Sequence, residues 1–309
     1  MADMNPLRIG TRGSPLALVQ ARNVQARLAA AHPGLADAIA IEAIVTSGDT
    51  VQDRTLVDIG GKGLFTKEID AALLDGRVAL AVHSLKDLPT VLPDGIALVC
   101  VPEREDPRDA LISSVGDTIA SLPKGAVVGT ASLRRAAQLL HRRPDLKTVP
   151  LRGNVGTRIA KLDRGEVQAT LLAMAGLRRL GATERAHPLS TDEILPAVGQ
   201  GALAITCRSD DKATRDLLAP LDHADAHTAI LAERAFLAEL DGSCRTPIAA
   251  LAEVNGDRLT LRGLIATPDG KELLETQRDG HRNDAARMGK DAGAELLKRC
   301  GPAFFAFKG

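Results

Sequence analysis

The stretch "AVVGTASLRRAAQLLHRRPD" (Ala126 to Asp145) holds a short apolar run, a turn of small residues and a helical pattern rich in arginine. An apolar strand that ends in such a turn and feeds a helix is the repeating unit of α/β folds, where buried strands alternate with covering helices. The switch falls at Thr130 to Ser132, and serine is a preferred helix-capping residue. The same grammar recurs outward from there. "LRIGT" precedes "SPLALVQARNVQARLAAAHPG", with Ser14 at the cap, Pro15 at the first helical position and Pro33-Gly34 at the close. "IAIEAIVT", "VALAVHS", "IALVCVP", "DALISS" and "ATLLAMA" are further strand-like runs, so the alternation predicts α/β layers with buried, largely parallel strands.

The chain is 309 residues long, enough for two or three domains with apolar cores. A composition break at "VPEREDPRDA" (Val101 to Ala110) and the Gly-rich "PAVGQGALAI" (Pro196 to Ile205) read as two crossings, which makes the first domain discontinuous. A helix from about Ala224 to Leu240 leads into a C-terminal α+β unit whose hairpin, "IAALAEVNGDRLTLRGLIA", turns at Asn255-Gly256-Asp257. "MADMNPLRIG" has no apolar signal segment and no apolar run nears the roughly 20 residues of a membrane span, so a soluble cytoplasmic protein is expected.

Formal net charge is zero, which speaks against general nucleic-acid affinity. Arginine nevertheless outnumbers lysine 28 to 11, and Thr130 to Arg185 holds twelve basic residues against four acidic ones. Such a local excess is a site for something anionic. With no Trp, no Tyr and five Phe, the chain lacks the stacking platforms of single-stranded nucleic-acid binders, and small carboxylates or phosphates with several arms fit better.

"GTRGS" (Gly10 to Ser14) and "GTASLRR" (Gly129 to Arg135) place hydroxyls and arginines where a strand enters a helix N-terminus. Free backbone N–H groups and the helix dipole favour an anion there, and a guanidinium adds a two-pronged donor matched to carboxylate. "LRGNVGTR" adds Arg152 and Arg158, and "AGLRRLG" adds Arg178 and Arg179. Solvated surface arginine is the ordinary alternative, weakened by this repeated placement at Gly-rich turns. In "AVHSLKDLPT" (Ala81 to Thr90), His83, Ser84, Lys86 and Asp87 follow an apolar strand, at the edge where α/β folds bind ligands. Asp87 suits pairing with a developing cation or passing a proton; a helix cap or a Lys86–Asp87 surface pair is the plain alternative. "GGKGLFTKEID" (Gly60 to Asp70) lacks the spacing of a nucleotide loop and reads as a mobile lid carrying Lys62 and Phe65. His223 and His227 stand four apart without a third ligand, so no metal site is expected.

The four cysteines form no C-x-x-C pair, and each reads as a free thiol. Cys100 and Cys207 lie in apolar runs and Cys300 ends the last helix, positions that suit packing. Cys244, in "LAELDGSCRTPIAA" (Leu237 to Ala250), sits in a turn of small residues where Arg245 can favour the thiolate. From these residues alone a functional thiol and a packing residue both stay open.

Taken together, "GTRGSPLALVQA", "GGKGLFTKEID", "AVHSLKDLPT", "EREDPRDALIS", "VGTASLRRAAQL", "LRGNVGTRIAKLD", "LPAVGQGALAI" and "LDGSCRTPIAA" resemble the porphobilinogen deaminase (hydroxymethylbilane synthase) family, in the same order from about Leu7 to Ile248. The resemblance implies an enzyme that joins four porphobilinogen molecules head to tail, losing ammonia each time, and releases a linear tetrapyrrole for haem-type pigments. It also implies a dipyrromethane cofactor as primer, held by a thioether to Cys244. By that resemblance Ser84, Lys86, Asp87, Thr130, Ser132, Arg134 and Arg135 bind the cofactor, and Asp87 is catalytic. Arg12, Ser14, Lys62, Phe65, Arg152, Arg158, Arg179 and Gln200 fall to the substrate and the growing chain. A carboxylate near the pyrrole nitrogens suits the chemistry, because loss of ammonia leaves a cation. The implied fold is α/β with three domains, the first two resembling type II periplasmic-binding-protein lobes around a cleft and the third a small α+β domain. With the crossings above, domain 1 is expected at 1–102 plus 200–220, domain 2 at 106–196 and domain 3 at 222–309. Porphobilinogen is the expected partner of a monomer, with no nucleic acid and no membrane. Two departures from the family pattern, Asp58 and Ser47, stand where relatives carry basic residues.

Overall fold

The computed structural model describes residues 6–50, 63–240, 246–301 and 304. The described residues form two compact units: one runs to Glu105 and resumes over Ala202–His227, and the other comprises Asp106–Gly201 and the chain from Thr228 onward. The first unit contains β1 (Leu7–Arg12), α1 (Pro15–Ala31), β2 (Ile39–Ile44), α2 (Ser47–Thr50), α3 (Lys67–Leu74), β3 (Leu80–Ser84) and β4 (Ile96–Cys100). The second contains β5 (Asp109–Ser113), β6 (Val127–Gly129), α4 (Leu133–Arg142), β7 (Lys147–Val149), α5 (Val155–Asp163), β8 (Ala169–Ala173), α6 (Met174–Arg179) and β9 (His187–Pro188). The chain returns to the first unit for β10 (Leu203–Arg208) and α7 (Lys212–Leu218), and then runs into α8 (Ala224–Glu239). It finishes in the second unit with β11 (Ile248–Asn255), β12 (Arg258–Ala266), β13 (Leu273–His281) and α9 (Ala285–Arg299).

Two five-stranded sheets share one plan, β2-β1-β3-β10-β4 and β7-β6-β8-β5-β9. In each, the first three strands are parallel, while the fourth, β10 or β5, runs antiparallel to both neighbours. The sheets are therefore mixed, where the strand patterns alone suggested largely parallel ones. A parallel neighbour requires a crossover, usually helical, and β5 and β10 are the strands with which the chain enters each sheet after a crossing. The third sheet, β11-β12-β13, is an antiparallel meander and forms the small C-terminal α+β domain with α9. Its first turn is the two-residue Gly256-Asp257 link, with Gly256 at φ +59°, a conformation that glycine adopts without steric cost.

Local chemistry sets the helix starts. Ser14 caps α1 by accepting from the Ala17 N–H at 3.3 Å, with Pro15 at the first helical position. Ser132 caps α4 through the Arg135 N–H, and Asn154 caps α5 through the Thr157 N–H at 2.8 Å. Ala21, Val24 and Leu28 place one face of α1 against a core with Ile9, Leu80 and Ile205. A separate core in the second unit joins Leu111, Val128, Leu139 and Leu171. Phe236, Leu261, Ile265 and Leu296 fill the C-terminal core, where a Cβ on Gly263 would come within 2.6 Å of the Phe236 ring. Among the described residues no helix is long and apolar enough to cross a membrane.

His83 faces inward from β3 with Nε2 3.3 Å from Thr206 Oγ1. Burial, and then the positive charge of Arg12, push it down to about 4 from an ordinary 6.5. The unfolded chain therefore binds a proton at this residue below about pH 6.5 that the native state refuses until about pH 4, so stability falls as pH drops through that window. Urea unfolding between about pH 4.5 and 6.5 should show a slope that His83→Gln reduces by roughly 1 to 3 kcal/mol in total. An unchanged slope would remove His83 as its source.

Candidate active site

In the first unit, β1 and β3 are parallel neighbours, so their C-terminal residues emerge on the same sheet edge. β1 ends in Arg12. β3 ends in Ser84, whose Oγ accepts from the buried Gln20 Nε2 at 2.9 Å. A 3₁₀ turn over Leu85–Asp87 follows, closed by the Leu88 N–H on Leu85 O at 3.0 Å, and it carries Lys86 and Asp87. Asp87 Oδ2 lies 3.8 Å from Arg12 Nη1, beyond direct hydrogen-bond length, and Asp87 is about one-third exposed. The Arg12 guanidinium stands 4.1 Å from the centre of the Phe65 ring, a cation–π contact that restricts its swing. Arg12, Ser14, Phe65, Ser84 and Asp87 thus line one pocket. Asp87, which the residues alone left open to a surface pair with Lys86, faces an arginine across a gap.

The arginines of the second unit behave differently. Arg134 and Arg135 are only 5 % exposed, and their guanidiniums run beneath α4 to Asp109, the wholly buried first residue of β5. Arg134 Nη1 donates to Asp109 Oδ2 at 2.7 Å and to Leu195 O at 2.8 Å. Arg135 donates to Asp109 Oδ1 from Nε at 3.1 Å and Nη2 at 2.7 Å, and to Leu171 O from Nη1 at 2.8 Å. Burial alone would raise the Asp109 carboxyl, but the charges and hydrogen bonds of both arginines hold it well below the usual carboxylate range. Two buried guanidiniums facing one carboxylate leave a positive excess, and Arg134 Nε is buried with no hydrogen-bond partner among the described residues. This donor set suits a ligand that brings its own carboxylates. Thr130 is buried and accepts from the Ser132 N–H at 3.1 Å, which shapes the turn into α4.

The remaining candidates scatter. Arg158 Nε donates to Gly153 O at 2.8 Å, Lys161 reaches the Arg152 carbonyl at 3.3 Å, and Arg179 Nη2 donates to Gly201 O at 2.7 Å. Arg178 pairs with Asp106 at 3.0 Å, alongside Arg108 at 2.8 Å. Gln200, expected at the substrate, is 1 % exposed and donates to Asp109 Oδ1 at 2.9 Å and Pro107 O at 2.7 Å. His223 Nδ1 accepts from the Ala226 N–H at 3.2 Å, and His227 Nδ1 lies 2.8 Å from Asp222. Ser47 bonds Glu68 through both its backbone N–H and its hydroxyl. Cys100 and Cys207 are buried, and burial, then the charge of Asp222, pushes the Cys100 thiol up to about 12. Lys62, Asp58 and Cys244 lie outside the described residues.

Two residues of the second unit went unassigned in the sequence. Asp109 had a signal, an acid opening the apolar run "DALIS". Glu233 lies on the inner face of α8, wholly buried, and accepts from the Gly199 N–H at 2.7 Å and the Ala252 N–H at 2.9 Å. Its signal was an acid at an inward position of an otherwise apolar helix stripe.

Comparison with known proteins agrees with this architecture. The family model for the porphobilinogen deaminase dipyrromethane cofactor binding domain matches residues 7–216, and that for the porphobilinogen deaminase C-terminal domain matches 227–298. The porphobilinogen deaminase of Nitrobacter winogradskyi is 56% identical over 298 residues, covering 96% of this chain and 94% of the relative. That of Paracoccus denitrificans is 54% identical over 302 residues, covering 97% and 96%. A chloroplastic relative from Oryza sativa subsp. japonica, also a porphobilinogen deaminase, is 53% identical over 310 residues, covering 98% and 87%. With such identity along nearly its whole length, the chain belongs to the porphobilinogen deaminase family.

Proposed function

We propose that Asp87 is the catalytic carboxylate with which this transferase condenses porphobilinogen units head to tail, on a dipyrromethane primer tethered to Cys244. The observation that carries this reading is the placement of Asp87 at the open end of β3, opposite Arg12 but 3.8 Å from it, so that the carboxylate keeps its lone pairs for a ligand. When bound, the dipyrromethane supplies a covalently fixed pyrrole carbon as the first nucleophile. Loss of ammonia makes the incoming substrate a cation, which Asp87 stabilises; the same carboxylate then accepts the proton released after bond formation. Arg12, held against Phe65, meets the acidic arms of the substrate.

Thr130, Ser132, Arg134 and Arg135 hold cofactor carboxylates in the second unit, with Ser84 and Lys86 acting likewise in the first. The buried positive excess at Arg134 and Arg135 supports that role, since a ligand carboxylate neutralises it. Arg152, Arg158 and Arg179, with Lys62, serve the lengthening chain, whose acetate and propionate arms multiply with each addition. The two sheets of the second unit support reading it as domain 2 (106–196) and domain 3 (222–309), beside a first domain of 1–102 plus 200–220. The protein works as a soluble cytoplasmic monomer.

Three variants test these assignments. Cys244→Ser should carry no covalent pyrrole by intact mass and give no colour with an acidic aldehyde reagent, whereas Cys300→Ser should keep both. Asp87→Asn should retain the cofactor and lose turnover by a factor on the order of 10² or more in single-turnover assays. Near-parental turnover would remove Asp87 from the chemistry. Arg134→Ala should accumulate as apoprotein, because truncating one partner of a buried charge network costs about 3 to 5 kcal/mol; a full complement of pyrrole in that variant would place the arginine outside the cofactor site.

A further inference from the structure

Asp109 is wholly buried at the start of β5, and four N–H donors converge on it: Arg134 Nη1 at 2.7 Å, Arg135 Nε at 3.1 Å and Nη2 at 2.7 Å, and Gln200 Nε2 at 2.9 Å. Resting on the reading that Arg134 and Arg135 hold cofactor carboxylates, we propose that Asp109, with Gln200 bound to it, is the positioning residue of that site. It sets the direction of both guanidiniums and cancels one of their two charges, leaving the other for the ligand.

The two arginines are consecutive on the first turn of α4 and carry like charges into the same dry interior, where they repel strongly. A single carboxylate between them converts repulsion into a fixed geometry. Arg135 gives three of its five N–H groups to the protein, two to Asp109 and one to Leu171 O, which leaves one on each of Nη1 and Nη2. Arg134 commits only Nη1, to Asp109 and Leu195 O, and its buried Nε has no partner among the described residues. A buried N–H without an acceptor is costly, so this atom marks where a ligand oxygen completes the set. Arg135 is thus the more tightly braced of the two, and Arg134 is left with its Nε to offer.

Gln200 reaches Asp109 from a turn in which Gly199 and Gly201 stand at φ +70° and +91°, conformations that favour glycine. Glu233 fixes that turn by accepting from the Gly199 N–H, and its other oxygen accepts from the Ala252 N–H on β11. α8, which bears Glu233, and β11 are the elements that flank Cys244 in the sequence. One buried network therefore sets the register between the arginine pair and the two supports of the tether segment. Removing the hydrogen-bonding partner behind a metal ligand typically costs about 10- to 100-fold in affinity or activity, and the same scale is expected for the partner behind these two arginines.

The test follows cofactor incorporation, separately from turnover. Full-length protein made in cells without porphobilinogen is given preformed hydroxymethylbilane, and covalent pyrrole gain is timed by intact mass. The temperature is chosen so that circular dichroism shows the same folded fraction in parent and variant, which keeps stability out of the rate. Asp109→Asn and Asp109→Gly should gain pyrrole about 100-fold more slowly than the parent. Millimolar formate, which can refill the space left in Asp109→Gly, should restore that rate by about tenfold and leave the parent and Arg134→Ala unchanged. Incorporation within about twofold of the parent in either folded Asp109 variant, or no response of Asp109→Gly to formate, overturns the proposal. If neither variant folds, Gln200→Leu takes their place, with a rate about fivefold lower expected and a parental rate decisive against. Arg134→Ala separates the two claims: loss of pyrrole there alongside normal Asp109 variants defeats the positioning role alone, whereas full pyrrole in Arg134→Ala defeats the cofactor reading beneath it.

Discussion

The shared carboxylate of Asp109 is the constraint on which the second unit turns. An ionised carboxylate sealed from water is unfavourable alone, and so are two neighbouring guanidiniums. Together they form a network that needs β5 in its antiparallel place beside β8, α4 capped at Ser132, and the Gly199–Gly201 turn held by Glu233. The elements share the supply: Asp109 comes from the strand, both arginines from the helix and Gln200 from the turn. Displacing any of them leaves a buried charge or amide without its bond.

The two units solve the handling of charge in opposite ways. In the first, Arg12 and Asp87 face each other at 3.8 Å near solvent, a separation longer than a direct hydrogen bond that leaves the Asp87 carboxylate able to respond to a ligand. In the second, the charges are buried, paired at 2.7 Å and left with a positive remainder. A low-dielectric setting makes that remainder far stronger toward a carboxylate than a surface arginine is. The first arrangement suits transient charges in a reaction, and the second suits a group that stays bound.

The strand-to-helix units were legible because their signals are local. Ser14 with Pro15, Ser132 and Asn154 each cap the helix that follows, and the hairpin at Gly256-Asp257 needs only a two-residue turn. Strand direction was not, since β5 and β10 take partners from distant stretches of chain and enter their sheets after a crossing. Asp87 and Arg12 stood out as charged residues beyond apolar strands, and the structure brings them together. Asp109 opens the apolar run "DALIS" in a stretch that also holds Glu103, Glu105 and Asp106, but this local signal does not say what the buried acid pairs with; that depends on Arg134 and Arg135, more than twenty residues onward. For the same reason the arginine pair read as ligand donors alone, with no sign of the carboxylate that braces them.

The central claim is that the buried positive remainder at Arg134 and Arg135 exists to receive a carboxylate of the dipyrromethane. A high-resolution crystal structure of the cofactor-loaded protein tests it at one atom. A cofactor carboxylate oxygen should lie about 2.7 to 2.9 Å from Arg134 Nε, the ordinary length of a charge-assisted bond, with Asp109 still bound to both guanidiniums. Density showing Arg134 Nε facing only protein or water, with the cofactor carboxylates bound elsewhere, would contradict the account.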